Sequence, residues 1–420
     1  MSGLASLWAD SAAEDFTARS LQGEFSADLV ILGGGFTGLS AALEAAGQGA
    51  DVILIEAETI GHGGSGRNVG LVNAGLWLPP DAVCKTLGQG AGERLNTALA
   101  AAPDLVFRLI EAHDIQCEPQ RNGTLHLAHA PKAIAQLRTR HDQMLARGAP
   151  VSLLDSQETA QRTGTSAFHG ALHDARAGTI HPLAYARGLA RAAETQGARI
   201  FESSPALSVL RHAGHWVVRS PGGKVRAKAL LVATNAYHQP VEQLIVPQPA
   251  TVNYFQLATE PLGHNLAGDI LNNGEGCWDS ALIMSSLRRD AEGRIILGGM
   301  GDDVALQSNW ARRKLKQLFP RLRDVAITHA WAGRISMTSD HLPKVLRLGT
   351  HGLSIFGYSG RGIAPGTLMG RCAARSLLAD DPSMLPLVPI ERHTERFVRL
   401  KTVAFETGAR LAHRFSARGS

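Results

Sequence analysis

Cysteine is scarce and scattered in this chain: Cys84, Cys117, Cys277 and Cys372 form no CxxC pair and keep no metal-ligand spacing. A disulfide framework and a structural zinc site are therefore excluded, and the thiols are expected to be reduced and mostly structural. Aromatic residues make up only 5% of the chain, and no apolar run approaches the roughly 18 residues of a membrane-spanning helix. The first residues, MSGLASLWADSAAEDF, lack the basic start and apolar core of a secretory signal, because Asp10, Glu14 and Asp15 interrupt them. A cytoplasmic protein is expected, at most peripheral to the inner face of the membrane. Charge of one sign is lacking too: Lys+Arg 42 against Asp+Glu 37 leave +5, spread along the chain. That is too diffuse for a nucleic-acid footprint, and it leans towards anionic substrates or an anionic surface. Of the 17 histidines only His126 and His129 approach a ligand spacing. They fall in an apparent strand, LHLAHA, where positions i and i+3 face opposite ways, so no metal site is expected.

Glycine, by contrast, is abundant, and its placement carries the strongest signal. An apolar strand, Leu29 to Leu32, runs into Gly33-Gly34-Gly35-Phe36-Thr37-Gly38, then a helix, then a second apolar strand ending at Glu56. This is the order of a dinucleotide-binding βαβ unit. Gly33 allows the tight turn, Gly35 lets the backbone approach a pyrophosphate, and Gly38 lets the helix pack closely on the sheet. Phe36 and Thr37 open the helix, whose N-terminus offers N–H groups and a positive dipole end. Glu56 stands eighteen residues beyond Gly38, where a carboxylate can accept from a ribose.

Further along, residues 87–113 have helical spacing, Asn122-Gly123 signals a hairpin, and a polar amphipathic helix covers about 131–147. A looser region follows up to His173. The stretch 178–235 reads as a helix from Pro182 to Gln196, a strand near Ile200, a hairpin at Pro221-Gly222-Gly223, and a buried strand ALLVAT ending in Asn235. Antiparallel signals return over 247–330, with a hairpin at Glu292-Gly293 and a helix at 308–319 stopped by Pro320. The end, GLSIFGYSGRGIAPGTLMGRCAARSLLA, is strand, glycine-rich turn and helix. The expected fold is α/β: a Rossmann-like nucleotide-binding domain (1–112, 178–246 and 331–420) interleaved with a smaller α+β substrate domain (113–177 and 247–330) containing a mainly antiparallel sheet.

The glycine fingerprint alone fits NAD and FAD equally. Three features favour FAD: the loop GHGGSGRNVG (61–70), with Ser65, Gly66, Arg67 and Asn68; the buried strand returning to Asn235; and a second glycine-rich turn, Gly360-Arg361-Gly362-Ile363, opening a helix. A helix N-terminus beside such a turn suits the negative charge that develops on a reduced flavin. A second GxGxxG for a nicotinamide is absent, since Gly298-Gly299-Met300-Gly301 reads as the end of a hairpin strand.

On these segments, together with AGTIHPLAYARGLARAAETQGARI, LRRDAEGRIILGG and WAGRISMTSDHLP, the chain resembles the FAD-dependent D-amino-acid-oxidase-like amine oxidoreductases, nearest the gamma-glutamylputrescine oxidase and pipecolate oxidase-like members. The resemblance implies FAD and hydride transfer from a carbon next to nitrogen to flavin N5, giving an imine that hydrolyses. It implies a small amine or amino-acid substrate, such as L-pipecolate or a gamma-glutamyl polyamine, and O2 or a quinone as electron acceptor. Relatives with covalent flavin carry a cysteine where Gly333 and Arg334 stand here, so noncovalent FAD is expected. Ser286 and Leu287 stand where relatives often have aromatics, and no counterpart of the oxygen-activating lysine of sarcosine oxidase is found. The alternatives are a membrane-associated flavin dehydrogenase passing electrons to quinone, or a non-catalytic flavin-binding protein.

Several residues have two readings. Arg334 either holds a substrate carboxylate or pairs with Asp340. Arg361 binds flavin or a substrate carboxylate. Arg67 and Asn68 contact the cofactor or brace their own loop. Tyr254 and Phe255 face opposite ways, so one at most meets substrate. Arg288 and Arg289 also alternate, and exposure to solvent is expected of them. From residue 391 on, the chain is rich in Lys and Arg, and Phe397, Leu400, Ala404, Leu411 and Phe415 fall near one helical stripe that docks on the protein or lies on an anionic membrane.

Overall fold

The computed structural model describes residues 6–281, 284–301, 304–398 and 400–403. After a short helix α1 (Leu7–Ser11), the chain forms β1 (Gly23–Leu32), α2 (Phe36–Gly47) and β2 (Val52–Ile55). A glycine-rich loop leads to β3 (Leu71–Val72) and helices α3 (Pro80–Leu87), α4 (Gln89–Ala100) and α5 (Ala102–Ala112). Next come β4 (Thr124–Leu127), α6 (Pro131–Leu145), β5 (Val151–Leu154), α7 (Ser156–Thr163), β6 (Ala171–Asp174) and β7 (Gly178–Thr179). α8 (Pro182–Thr195) precedes β8 (Arg199–Phe201), β9 (Ser208–His212), β10 (His215–Ser220) and β11 (Gly223–Val232). The chain then supplies β12 (Ala250–Thr259), α9 (His264–Ala267), β13 (Gly276–Asp279), β14 (Ser285–Arg289), β15 (Ile295–Met300), α10 (Val304–Leu318) and β16 (Ile327–Met337). It closes with β17 (Lys344–Gly349), β18 (Gly352–Phe356) and α11 (Ile363–Ala379).

Two large sheets organise these pieces. In the first, β18, β11, β1, β2 and β8 run parallel in that order, with β17 and β10 added antiparallel. The run Leu29–Leu32 is buried on both faces, as a central parallel strand requires. Helices α2, α8 and α11 cover one face in a single apolar cluster, and Val30, Ile53, Trp216 and Leu230 fill the other. A glycine of α11 lets it approach α2 closely: a Cβ at Gly370 would lie 2.1 Å from the Thr37 carbonyl. The second sheet has the order β16-β12-β15-β14-β13-β4-β6-β5 and is antiparallel except where β13 meets β4. Its outer face packs on α10 through Phe255, Trp310, Leu315 and Phe319.

The expected α8, the Pro221-Gly222 hairpin, the turn at Glu292-Gly293 and the helix ending before Pro320 are all present. Four expectations need correction. Asn122-Gly123 makes no hairpin; it feeds β4, whose partners β13 and β6 come from later in the chain. The helical stretch 87–113 is two helices broken at Ala101, with Pro103 in the first turn of the second. The boundary expected at residue 331 falls inside β16, which is hydrogen-bonded to β12 from Ile327 to Met337. Arg288 is not exposed: it is 1% accessible, because both faces of β14 are covered, and Arg289 caps the Ala267 and Ile270 carbonyls. Among the described residues no helix is long and apolar enough to cross a membrane. Ala404, Leu411 and Phe415 of the expected C-terminal stripe lie outside the described residues.

Candidate active site

A single cavity of about 920 Å³ runs between the two sheets, from Glu56 at one end to Trp278 and Arg361 at the other. The near end is backbone. Gly33 turns with φ +109°, and a Cβ there would meet the Ala233 carbonyl at 3.0 Å. Gly35 is extended and precedes the first residue of α2, so the free N–H groups and positive end of the helix face the cavity. Gly38 lies behind; its Cβ would fall 2.0 Å from the Gly33 carbonyl, so α2 can sit this close only with glycine there. Glu56 accepts from Gly34 N at 2.6 Å and Glu58 N at 3.0 Å, and burial raises its pKa. Gly33, Gly35, Phe36, Thr37 and Glu56 all line the cavity.

The 61–70 loop forms one wall. Ser65 Oγ accepts from Phe36 N at 3.0 Å, joining the loop to the start of α2. Asn68 Nδ2 donates to the Gly64 and Ser65 carbonyls at 3.0 and 2.9 Å, and its Oδ1 accepts from Gly70 N at 2.8 Å. Arg67 Nε donates to the His62 carbonyl at 2.7 Å, and Arg67 Nη1 to Ala332 at 3.3 Å. Both side chains therefore brace the loop. Ser65 and Asn68 also line the cavity, whereas Gly38, Gly66 and Arg67 are not among its lining residues. A Cβ at Gly66 would stand 2.3 Å from the Gly61 carbonyl, so Gly66 serves the tightness of the turn.

The second glycine turn forms the opposite wall. Gly357, Ser359 and Gly360 have φ of 81°, 50° and 90°, and α11 begins directly after Gly362, at Ile363. Asn235 Oδ1 accepts from Gly357 N at 2.9 Å, and Tyr358 Oη meets Thr37 Oγ1 at 2.7 Å, which ties this turn to α2. A long cavity with two helix N-termini, glycine-rich walls and an acid at one end fits an extended dinucleotide.

The far end is side chain. The Arg361 guanidinium is 5% exposed and lies between two indoles, 4.7 Å from the Trp77 ring centre and 4.4 Å from that of Trp278. It has no ion pair or hydrogen bond with the described residues, and its Nε is buried without a partner. Burial, then the neighbouring charge of Arg140, push its pKa down to about 9. Arg140 itself is held by the Leu76 and Trp77 carbonyls. Tyr254 Oη, Gln256 Oε1, Trp278 Nε1 and Ser336 Oγ are also buried, unpartnered and part of the lining. Phe255 points the other way into the core. Tyr254 faces Gly333 across the β12–β16 pair, and a Cβ at Gly333 would come within 2.3 Å of Tyr254 Oη. Arg334 is exposed at the rim, its guanidinium 4.5 Å from the Tyr237 ring centre. It does not pair with Asp340, which binds Lys344 instead. Sequence reading missed Trp77, Trp278, Gln256, Ser336 and Arg140. Only Gln256 had a local signal, two places from Tyr254 on the same strand face.

The chain matches the family model described as "DAO: FAD dependent oxidoreductase" over residues 28–376. It is 32% identical over 388 residues to the "Probable oxidoreductase OrdL" of Haemophilus influenzae, covering 90% of this chain and 88% of that protein. Identity to the gamma-glutamylputrescine oxidoreductase of Escherichia coli is 30% over 407 residues, 96% of this chain and 93% of that one. Among solved structures, glycine oxidase from Geobacillus kaustophilus superimposes with a TM-score of 0.72 at 18% identity, covering 88% of this chain and 100% of that chain. That last likeness is one of fold.

Proposed function

Because the chain belongs to the DAO family of FAD-dependent oxidoreductases, we propose that it oxidises the C–N bond of a small amine or amino acid bearing a carboxylate, and that the imine product is then hydrolysed. The best candidates are a secondary or cyclic amino acid such as L-pipecolate, or a gamma-glutamyl polyamine. The activity named for the Escherichia coli relative supports the second. The observation that carries the reading is the unpaired Arg361 guanidinium, buried between Trp77 and Trp278. Withdrawing a charge from water without a counter-ion costs several kcal/mol. A substrate carboxylate supplies the missing partner through a bidentate pair.

FAD would be held by Gly33, Gly35, Phe36 and Thr37 at the pyrophosphate, by Glu56 at the ribose, and by the 61–70 loop and the turn before Ile363 at the ring. When bound it supplies a two-electron acceptor for the C–H bond next to nitrogen. Noncovalent attachment is supported by the lining, which includes none of the four cysteines, and by Gly333, where Tyr254 leaves no room for a side chain. Arg361 anchors the carboxylate. Tyr254 Oη, Gln256 Oε1 and Ser336 Oγ orient the amine, and the paired indoles keep water from the guanidinium. Arg334 at the rim meets substrate as it enters. A protonated nitrogen has no lone pair to form the C=N bond, so the amine binds neutral or loses its proton before oxidation, and the rate rises with pH through that ionisation.

The test is an anaerobic bleaching screen of the purified yellow protein. It pairs L-pipecolate with piperidine and gamma-glutamylputrescine with putrescine, and adds L-proline, sarcosine and D-amino acids. The carboxylate-bearing member of a pair should bleach the flavin at least tenfold faster. Equal rates would remove the role of Arg361, and no bleaching by any compound would favour a non-catalytic flavin protein. Reoxidation by O2 against a quinone dye then identifies the acceptor.

A further inference from the structure

Three consecutive carbonyls of the 61–70 loop end on buried side chains from three distant parts of the chain. Trp331 Nε1 on β16 donates to the Arg67 carbonyl at 2.9 Å, and Trp8 Nε1 on α1 to the Asn68 carbonyl at 2.8 Å. Arg288 Nη1 on β14 donates to the Val69 carbonyl at 3.3 Å and to Ile180 at 2.5 Å. Trp8 touches the other two donors. The rings of Trp8 and Trp331 stand edge to face with centres 5.6 Å apart, and the Arg288 guanidinium lies 5.4 Å from the Trp8 ring centre. All three are buried, at 0%, 6% and 1% exposure for Trp8, Trp331 and Arg288. Arg288 presses so closely that a Cβ at Gly70 would fall 2.3 Å from its Nη1.

The other side of the same loop, Gly63, Gly64, Ser65, Asn68 and Val69, lines the cavity. A backbone this rich in glycine has little stiffness of its own. Fixing three successive carbonyl directions fixes three planar peptide units and with them the course of the wall. Two of the donors belong to the sheet carrying Tyr254 and Gln256, so the same contacts set the spacing between that sheet and the loop. The third comes from α1, which precedes residues 28–376, the part of the chain that the family model matches.

We propose that Trp8, Arg288 and Trp331 act together as a positioning bracket for the loop that faces FAD, and that α1 is through Trp8 an integral part of the cofactor site. The proposal rests on the reading that the 61–70 loop lies against FAD. The decisive variant is Trp8→Phe in the full-length FAD-loaded protein, which removes the N–H donor and keeps a smaller aromatic ring at the site, so that lost packing is read in the melting temperature and the lost donor in the FAD readouts. Its FAD dissociation constant rises about five- to tenfold, as expected for one lost hydrogen bond. The absorption envelope of the bound flavin shifts, and kcat falls while KM holds. Trp331→Phe moves the same readouts, and the double variant is less than additive because the two rings touch. A Trp8 that serves stability alone would lower the melting temperature and leave FAD affinity and flavin spectrum at wild-type values, and that result overturns the proposal. Should Trp8→Phe not fold, Trp331→Phe is read by the same criteria. Gly64→Val separates the underlying reading: a Cβ at Gly64 meets only ordinary contacts, 3.6 Å to the Arg334 carbonyl and 3.8 Å to Tyr237. Weaker FAD binding in Gly64→Val with a silent Trp8→Phe leaves the loop at FAD and rejects the bracket. Silence in both rejects the loop's contact with FAD and the bracket with it.

Discussion

At one end of the cavity Gly33, Gly35, Phe36 and Glu56 come from a single βαβ unit and present backbone N–H groups, a helix end and one carboxylate. At the other end Trp77, Tyr254, Trp278 and Arg361 come from a loop, two strands and a turn, and present side chains only. The side chains of the near end have their partners supplied: Glu56 already accepts two backbone N–H groups, and Ser65 accepts from Phe36. The far end is left incomplete, with a buried polar atom lacking a hydrogen-bond partner on each of five side chains, Tyr254, Gln256, Trp278, Ser336 and Arg361. A satisfied cradle suits a cofactor that stays, and an unsatisfied end suits a substrate that comes and goes.

The strongest test of that contrast is Arg361→Met. Removing one partner of a buried charge pair costs about 2–5 kcal/mol of binding. We therefore expect kcat/KM for the carboxylate-bearing substrate to fall at least about a hundredfold, in steady-state assays, with FAD content unchanged. Stability should move the other way: an uncompensated buried charge disappears, and the substrate-free protein gains about 1 kcal/mol in urea unfolding. A loss of both activity and stability would mean that Arg361 already has a structural partner.

The near end is tested by Gly38→Ala. Its Cβ would strike the Gly33 carbonyl, and relief requires α2 to move off β1. Overpacking of this kind costs about 1–3 kcal/mol. FAD affinity, followed by fluorescence titration, should fall about tenfold or more. Relative rates on different substrates should stay constant at saturating FAD, and a change in substrate preference would break the proposed division of labour.

A third prediction lies behind the loop joining the two ends. His181 is buried against Trp8 with ring centres 4.7 Å apart, and its Nδ1 accepts from Ala184 N at the start of α8. Burial, then the charge of Arg288, push its pKa down to about 3, against a usual value near 6.5. The unfolded chain thus binds more protons than the folded one between these values. The stability from keeping His181 neutral is complete above about pH 6.5 and is lost as pH falls towards about 3. By pH 5 the loss is about 2 kcal/mol, measurable as a drop in the urea midpoint. His181→Asn, which can still cap α8, should flatten that slope.

The near end was legible in the sequence because its contacts are local: Gly33, Gly38 and Glu56 meet within one unit whose order reads directly from hydrophobic runs and glycines. The far end was legible only one residue at a time. Arg361 and Tyr254 stood out, but the indoles enclosing Arg361 come from positions 77 and 278, and no local period links them. Arg288 was misread for a related reason. Alternation along a strand assigns one face to solvent, yet β14 is covered by the α10 layer on one side and by the loop with α1 on the other. Asn122-Gly123 failed likewise, since a turn-forming pair needs a second strand beside it, and β4 finds its neighbours more than 40 residues later.

Tyr254→Phe should give the smallest effect and makes the finest distinction. Its hydroxyl is buried, burial raises its pKa well above the usual value, and it has no hydrogen-bond partner. Deleting a hydroxyl normally costs about 1 kcal/mol because a bond is lost. Here none is lost in the substrate-free protein, so stability should stay within about 0.5 kcal/mol of wild type or rise slightly, by urea unfolding. If the hydroxyl orients the bound amine, kcat/KM falls about fivefold, with little change in FAD affinity. Unchanged kinetics would reduce Tyr254 to a filler above Gly333. A loss of more than about 1 kcal/mol in stability would show that this hydroxyl is already satisfied in the resting protein. Tyr254 would then belong with the completed near end of the cavity rather than with the end that waits for substrate.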